Sequence, residues 1–117
     1  MRTYSRSWKH LFCGHWNGSP VEIGLPEQRT HRIPPREQCH HHEFHEYYLV
    51  LEGHAHLTVE GVVVDLKPDS VVMVEPGERH CISWVSPDEG VRFVIIKQRS
   101  EPNGKHVANG EGGEGGE

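Results

Sequence analysis

Histidine is frequent in this chain, and its distribution is uneven. Of the eleven histidines among 117 residues, four lie in the string CHHHEFHE at positions 39–46. Imidazole nitrogens and carboxylate oxygens are donor atoms suited to divalent Fe, Mn, Ni, Co and Zn ions. Because the string lies in mid-chain and leads into a strand-like pattern, it belongs to the fold and is not an expression tag.

Strand geometry selects which of these residues can meet. Successive side chains of a strand point to opposite faces, so a regular strand places His40, His42 and Glu46 on one face. His80 lies on a later predicted strand, which an antiparallel sheet can bring alongside. Three imidazoles and a carboxylate would then converge and leave open coordination positions on the ion, as catalytic and binding sites do.

The remaining histidines fit this site less well. His41 and His45 have the opposite parity, so we expect them to face away from the metal, at the surface or an interface. His54 and His56 share a face, but the apolar residues that alternate with them are the set that suits the core. The sequence therefore favours a solvent-facing pair there over a second metal site.

The segments that would position these residues are short strands separated by Gly and Pro turns. Strands are predicted at 21–25, 29–33, 43–51, 54–59, 62–66, 71–74, 80–85 and 91–97. This pattern indicates one all-β domain at 21–99, an antiparallel barrel or sandwich. Residues 1–20 are predicted to be an irregular arm packed on the barrel or on a partner subunit. The Gly- and Glu-rich residues 100–117 are predicted to be a disordered tail.

Composition argues against several classes of partner. The formal net charge is −5 and no stripe of Lys and Arg is present, which opposes nucleic-acid binding. No apolar run approaches the roughly 20 residues that span a bilayer, so no membrane association is expected. Cys13, Cys39 and Cys81 are far apart with no CxxC pair, and no secretory signal is evident, which together predict free thiols in the cytoplasm. Cys81 is interpreted as apolar filler, and Cys39 either as filler or as a functional neighbour of the histidine cluster.

The spacing of the candidate ligands resembles the two sequence motifs of the cupin superfamily. The first motif contains HxH, then Glu after three or four residues, then Gly after six more. The matching residues here are His40, His42, Glu46 and Gly53. The second motif contains PxG followed after two residues by His, which matches residues 75–77 and His80. The resemblance covers about half of the barrel and includes all four ligand positions.

The chain departs from these motifs at four positions. Three of them are turn positions of the motifs, occupied here by Pro34, Asp69 and Glu75. At the fourth, Trp84 replaces the usual Asn, and we expect it to point inward, narrow the cavity and shape the ligand. Tyr48 and Met73 are further candidates for cavity lining, with plain barrel core as the alternative.

The resemblance implies a single cupin-type β-barrel, also described as a double-stranded β-helix or jelly roll, with a divalent metal near one mouth. It also implies a homodimer. Direct ligation by Glu46 is preferred, although this residue could instead act as an outer acceptor or base. Glu46 and Tyr48 are therefore the candidate catalytic residues.

Three functions are compatible with this set. The first is a metal-dependent enzyme, an oxygenase or an isomerase or lyase, acting on a small polar molecule such as a keto acid, enediol or sugar. The second is a non-catalytic module that binds or senses a small ligand. The third, a structural cupin without metal, is disfavoured because all four ligands are present.

Overall fold

The computed structural model describes residues 1–7, 10–28, 39–101 and 106–107. Within them the chain forms short strands and one turn of 3-10 helix, His15–Asn17. The strands are β1 (Leu11–Cys13), β2 (Glu22–Gly24), β3 (Glu27–Gln28), β4 (His40–His41), β5 (Glu46–Gly53), β6 (Ala55–Val59), β7 (Val62–Leu66), β8 (Val71–Val74), β9 (His80–Val85), β10 (Val91–Lys97) and β11 (His106–Val107). No helix in these described ranges is long and apolar enough to cross a membrane.

The strands form two antiparallel sheets. The first has the order β1-β2-β10-β5-β8, with β3 paired to one end of β10. The second has the order β11-β4-β9-β6-β7. Several neighbours in each sheet are distant in sequence, as the crossing connections of a jelly roll require. The predicted all-β antiparallel architecture is confirmed.

The core lies where apolar side chains from the two sheets meet. Along β5, Tyr48 and Val50 are buried while Leu49 between them is exposed, which is the alternation expected of a half-buried strand. Ala55 and Leu57 repeat this pattern on β6. The buried apolar cluster comprises Tyr48, Val50, Ala55, Leu57, Leu66, Val74, Ile82, Val85, Val91 and Phe93.

Most of the predicted strands coincide with observed ones. The predictions at 62–66, 71–74, 80–85 and 91–97 match β7 to β10 residue for residue, and those at 21–25 and 54–59 contain β2 and β6. The strand predicted at 43–51 begins later, at Glu46, and continues to Gly53. The strand predicted at 29–33 lies outside the described residues.

The arm and the tail differ from the prediction. Within the arm, Leu11–Cys13 forms β1, which pairs with β2 and extends the first sheet. A strand of three residues is too short for apolar alternation to reveal, so the sequence predicts only a loop there. In the tail, His106–Val107 forms β11, whose backbone pairs with β4. These two residues are therefore not irregular. The rest of the predicted tail, 102–105 and 108–117, lies outside the described residues.

Candidate metal centre

Three strands and one connecting segment bring the four candidate ligands together. His40 on β4 lies directly opposite His80 at the start of β9. Glu46 is the first residue of β5. His42 follows β4 in a non-strand connection, and the Gly77 N–H donates a 2.8 Å hydrogen bond to its carbonyl, which fixes the backbone there. The regular strand assumed from the sequence is therefore interrupted after His41. The side chains of His40, His42 and Glu46 nevertheless lie in one buried group.

The four side chains form one compact and buried group. Their relative exposures are 4% for His40, 3% for His42, 1% for Glu46 and 0% for His80. The candidate ligand atoms all lie within 4.8 Å of one another. The ring centroids of His40 and His80 are 4.5 Å apart, and those of His40 and His42 are 5.1 Å apart. This set of donors could hold a metal ion, as the sequence predicts.

The orientation of the His80 ring is set by the backbone. Its Nδ1 lies 2.9 Å from the carbonyl oxygen of Glu78, and a carbonyl can only accept, so Nδ1–H is the donor. Nε2 then faces Glu46, 2.7 Å from Oε1. A nitrogen lone pair and a carboxylate oxygen at this distance need a cation between them, either a proton or a metal ion. The Nδ1 bond therefore presents Nε2 for ligation, as outer hydrogen bonds commonly do in metal sites.

Glu46 is held in its charged form despite its burial. Burial alone would raise the pKa of this carboxyl, but the hydrogen bond from His80 opposes it. The charges of His42, His80 and Lys97 act in the same direction as that hydrogen bond, and together they hold the pKa of Glu46 below its ordinary value of 4.5. An ionised carboxylate that faces three imidazoles is the form that binds a cation.

Aromatic side chains pack beside the cluster. The His42 ring stacks on the buried Phe44 ring, with centroids 4.8 Å apart. Tyr48 is buried, and its ring centroid lies 6.3 Å from that of His80 and 5.4 Å from that of Phe93. Tyr48 is therefore next to a candidate ligand, on the side of β5 to which the sequence assigns it.

Two of the three cavity-lining candidates lie on the outer surface instead. Met73 is 44% exposed, because it pairs across the sheet with the outward-facing Tyr47 on β5. Trp84 is partly exposed, because a bulge between β6 and β9 leaves Ser83 as an extra residue and reverses the alternation after Ile82. The prediction that Met73 and Trp84 line the cavity is wrong.

The two neighbouring histidines of opposite parity lie outside the buried group. His41 Nε2 lies 3.6 Å from a carboxylate oxygen of Glu43. His45 Nδ1 lies 3.2 Å from the side-chain oxygen of Gln98. Both are partly exposed, which agrees with the prediction that they face away from the metal.

Cys39 and Cys81 form a disulfide, so the prediction of free thiols is wrong for this pair. The residues are 42 positions apart in sequence, and the pairing of β4 with β9 brings their Cα atoms to 4.5 Å. This removes the cysteine argument for a reducing compartment, and the cytoplasmic location stays a prediction. Cys13 is a free and buried cysteine.

The structure also brings together a second group that the sequence interpretation set aside: His54, His56 and Asp65. The two histidines are partly exposed, as predicted, but Asp65 was not considered as their partner. The signal was available in the hairpin that turns at Glu60 and Gly61, because counting outward from this turn places His56 opposite Asp65.

Comparison with known proteins gives one family match. The family model described as "Cupin domain" matches residues 29–97, which include all four candidate ligands. A search of curated proteins found no match.

Solved structures with a similar fold align with 81% to 98% of this chain. The polyketide cyclase RemF from Streptomyces resistomycificus aligns with a TM-score of 0.69 and 18% identity, covering 92% of this chain and 84% of that one. A cupin protein from Bacteroides fragilis aligns with a TM-score of 0.64 and 17% identity, covering 98% and 93%. A protein from Planctomyces limnophilus aligns with a TM-score of 0.60 and 23% identity, covering 81% and 77%. At these identities the likeness concerns the fold.

Proposed function

This chain belongs to the cupin family, and from that premise we propose that it is a metal-dependent enzyme acting on a small polar substrate. The observation that carries the proposal is the buried group of His40, His42, Glu46 and His80, whose ligand atoms all lie within 4.8 Å of one another. Its donors are three imidazole nitrogens and one carboxylate oxygen, a set that suits Fe, Mn, Ni, Co or Zn as the divalent ion.

When bound, a divalent ion would supply Lewis-acid chemistry that stabilises a developing enolate on a keto acid, enediol or sugar, or oxygen chemistry if the ion is iron. The residues of the chain prepare this site. The Glu78 carbonyl holds the His80 ring so that Nε2 faces inward. Glu46 is kept ionised, and we propose that it binds the ion directly. The buried rings of Phe44 and Tyr48 limit the access of water next to the ligands.

The test begins with the native metal content. The full chain is purified without added metal, once in air and once anaerobically, and its metals are measured by elemental analysis. Turnover of keto acids, enediols and sugars is then assayed with each preparation. We expect a transition metal near one equivalent per chain and turnover that chelation abolishes. Iron would favour an oxygenase, and Mn, Ni, Co or Zn would favour an isomerase or lyase.

Two outcomes would contradict an enzymatic role. One is a metal-loaded protein with no turnover under either condition. The other is a small molecule that raises the melting temperature but is recovered chemically unchanged, which would identify a non-catalytic binding or sensing module. Neither outcome would contradict the assignment of the four metal ligands.

We also propose that the chain forms a homodimer. Support comes from the outer face of β5 and β8, where Leu49, Leu51, Val71 and Met73 are between 36% and 57% exposed. Contiguous exposed apolar side chains of this kind commonly mark an interface. Light scattering coupled to size exclusion should give twice the chain mass. Val71→Lys with Met73→Lys should give the monomer, and Ser83→Lys on the other sheet should not.

A further inference from the structure

The outer surface of the second sheet carries a group of ionisable side chains separate from the buried centre. His54 Nε2 lies 3.0 Å from Asp65 Oδ1, and His56 Nε2 lies 3.3 Å from the same oxygen. All three residues are partly or largely exposed. Leu57, adjacent to His56 on β6, points to the opposite face and is fully buried. The group is therefore on the solvent side of the same sheet that contributes His40 and His80 to the buried centre.

The backbone fixes the positions of these three residues. His56 on β6 pairs directly with Asp65 on β7 in a tight hairpin. His54 lies just before β6, where its N–H donates to the Gly90 carbonyl at 2.9 Å and its carbonyl accepts from the Ser86 N–H at 3.0 Å. Neighbouring strand residues thus hold both imidazoles and the carboxylate before any ligand arrives, which lowers the entropic cost of binding.

The Trp84 ring packs beside this group. Its ring centroid lies 4.5 Å from that of His56 and 5.1 Å from that of His54. The β9 bulge that turns Trp84 outward is what places it there. Packing against the indole restricts the rotation of both imidazoles, and it also provides a fluorescent side chain within contact distance of the group.

The distance of each imidazole Nε2 from Asp65 Oδ1 matches that of two ligands on one ion. Two donors that bind an ion at about 2.1 Å, with angles of about 90° to 109°, lie about 3.0 to 3.4 Å apart. The two distances to Asp65 Oδ1 fall in this range. Two imidazoles and a carboxylate on one side of an ion leave its solvent side open for water or an exogenous ligand.

We propose that His54, His56 and Asp65 form a second metal site, which binds an exchangeable divalent transition-metal ion such as Cu²⁺, Ni²⁺ or Zn²⁺. The inference does not depend on the enzymatic role proposed for the buried centre. With three exposed donors instead of four buried ones, the outer site binds its ion more weakly and releases it faster.

The test uses Cu²⁺ as the probe and the full chain. Equilibrium dialysis measures the number of ions bound, and tryptophan fluorescence follows their arrival, because Cu²⁺ quenches a nearby indole. The wild type should bind one Cu²⁺ equivalent more than the His56→Ala variant. This additional equivalent should quench the tryptophan fluorescence of the wild type but not that of the Trp84→Phe variant. Asp65→Asn should weaken binding at the outer site about tenfold or more.

A matched control separates this site from adventitious binding by a surface histidine. His15 also lies beside a tryptophan, with its ring centroid 5.2 Å from that of Trp16, but it has no place in either ligand group of the described residues. His15→Ala should retain the additional equivalent and its quenching. The proposal is overturned if His56→Ala binds as many Cu²⁺ equivalents as the wild type, or if His56→Ala and His15→Ala behave alike. The substituted side chains are on the surface, and an unchanged melting temperature in chelator would verify that the variants are folded.

Discussion

His40 on β4 lies directly opposite His80 on β9, with their ring centroids 4.5 Å apart. Cys39 precedes the first of these residues, Cys81 follows the second, and the two cysteines are joined by a disulfide. Two of the four candidate ligands are thus held by a strand pair that is short and covalently linked. The integrity of the metal centre should depend on this link.

Replacing both linked cysteines, Cys39→Ser with Cys81→Ser, should therefore destabilise the protein and weaken metal binding. The disulfide spans 42 residues, and closing a loop of that length is worth about 4 kcal/mol in the chain-entropy model. Chemical denaturation in chelator would measure the stability, and dialysis against Zn²⁺ the affinity. Cys13→Ser is the matched control, since it changes a buried cysteine without opening a loop. Equal stability of the double variant and the control would contradict the prediction.

The contribution of individual histidines can be tested with His42→Ala. This variant removes one of the four donors and should reduce metal bound at the buried centre to well below one equivalent, while the barrel stays folded. Elemental analysis measures the metal, and far-ultraviolet circular dichroism checks the fold. His45→Ala is a suitable control because His45 lies three residues further along and contacts Gln98 instead. Full metal occupancy in His42→Ala would mean that the ligand assignment is wrong.

Gly53, the glycine that ends the first cupin motif, is required for a steric reason. Its φ is +85°, and a Cβ at this position would collide with the Gly90 carbonyl, lying 2.8 Å from the carbonyl carbon. Gly61 has a similar φ of +80° but no atom within 4 Å of the same point. Gly61→Ala should cost about 1 kcal/mol, from the left-handed conformation alone. Gly53→Ala should cost about 3 kcal/mol or more, because the backbone must also move. Similar melting temperatures for the two variants would refute the steric explanation.

The buried centre was predictable from sequence because two constraints agree on it. Strand parity and motif spacing both select His40, His42 and Glu46, and the local break after His41 does not disturb their common side. The four strands from β7 to β10 were also predicted with correct bounds, because Gly or Pro turns separate them. Short strands such as β1 and β11 were missed because their order comes from backbone pairing with a neighbour, which leaves little trace in the local sequence.

The errors at Trp84 and in the cysteine prediction have one physical origin. Both depend on how β9 pairs with its neighbours. The alternation of apolar and polar residues within a single strand does not reveal this pairing. One extra residue in β9 turned Trp84 from the inside to the outside, and a contact across 42 residues joined Cys39 to Cys81. The pairing of His56 with Asp65 is different, because the hairpin turn determines it locally and the register can be counted from the sequence.

The carboxylate of the buried centre should make the stability of the metal-free protein depend on acid pH. The pKa of Glu46 is below 4.5 in the folded state, chiefly because the His80 hydrogen bond and the nearby positive charges outweigh burial. Ionised Glu46 therefore stabilises the fold between pH 4.5 and neutrality, and this contribution is lost as the pH falls through the lowered folded-state pKa. Glu46→Gln removes the ionisable group while keeping a similar shape.

Unfolding free energies of the wild type and Glu46→Gln, measured in chelator from neutral pH downward, test this directly. The wild type should be the more stable protein near neutrality, and the difference should shrink once the pH falls below 4.5. Glu43→Gln provides the control, since Glu43 is an exposed carboxylate on the connection that leads to Glu46. A difference between wild type and Glu46→Gln that grows toward acid pH would mean that the pKa of Glu46 is raised. In that case burial dominates over His80, and the residue is better suited to donate a proton than to bind a metal ion.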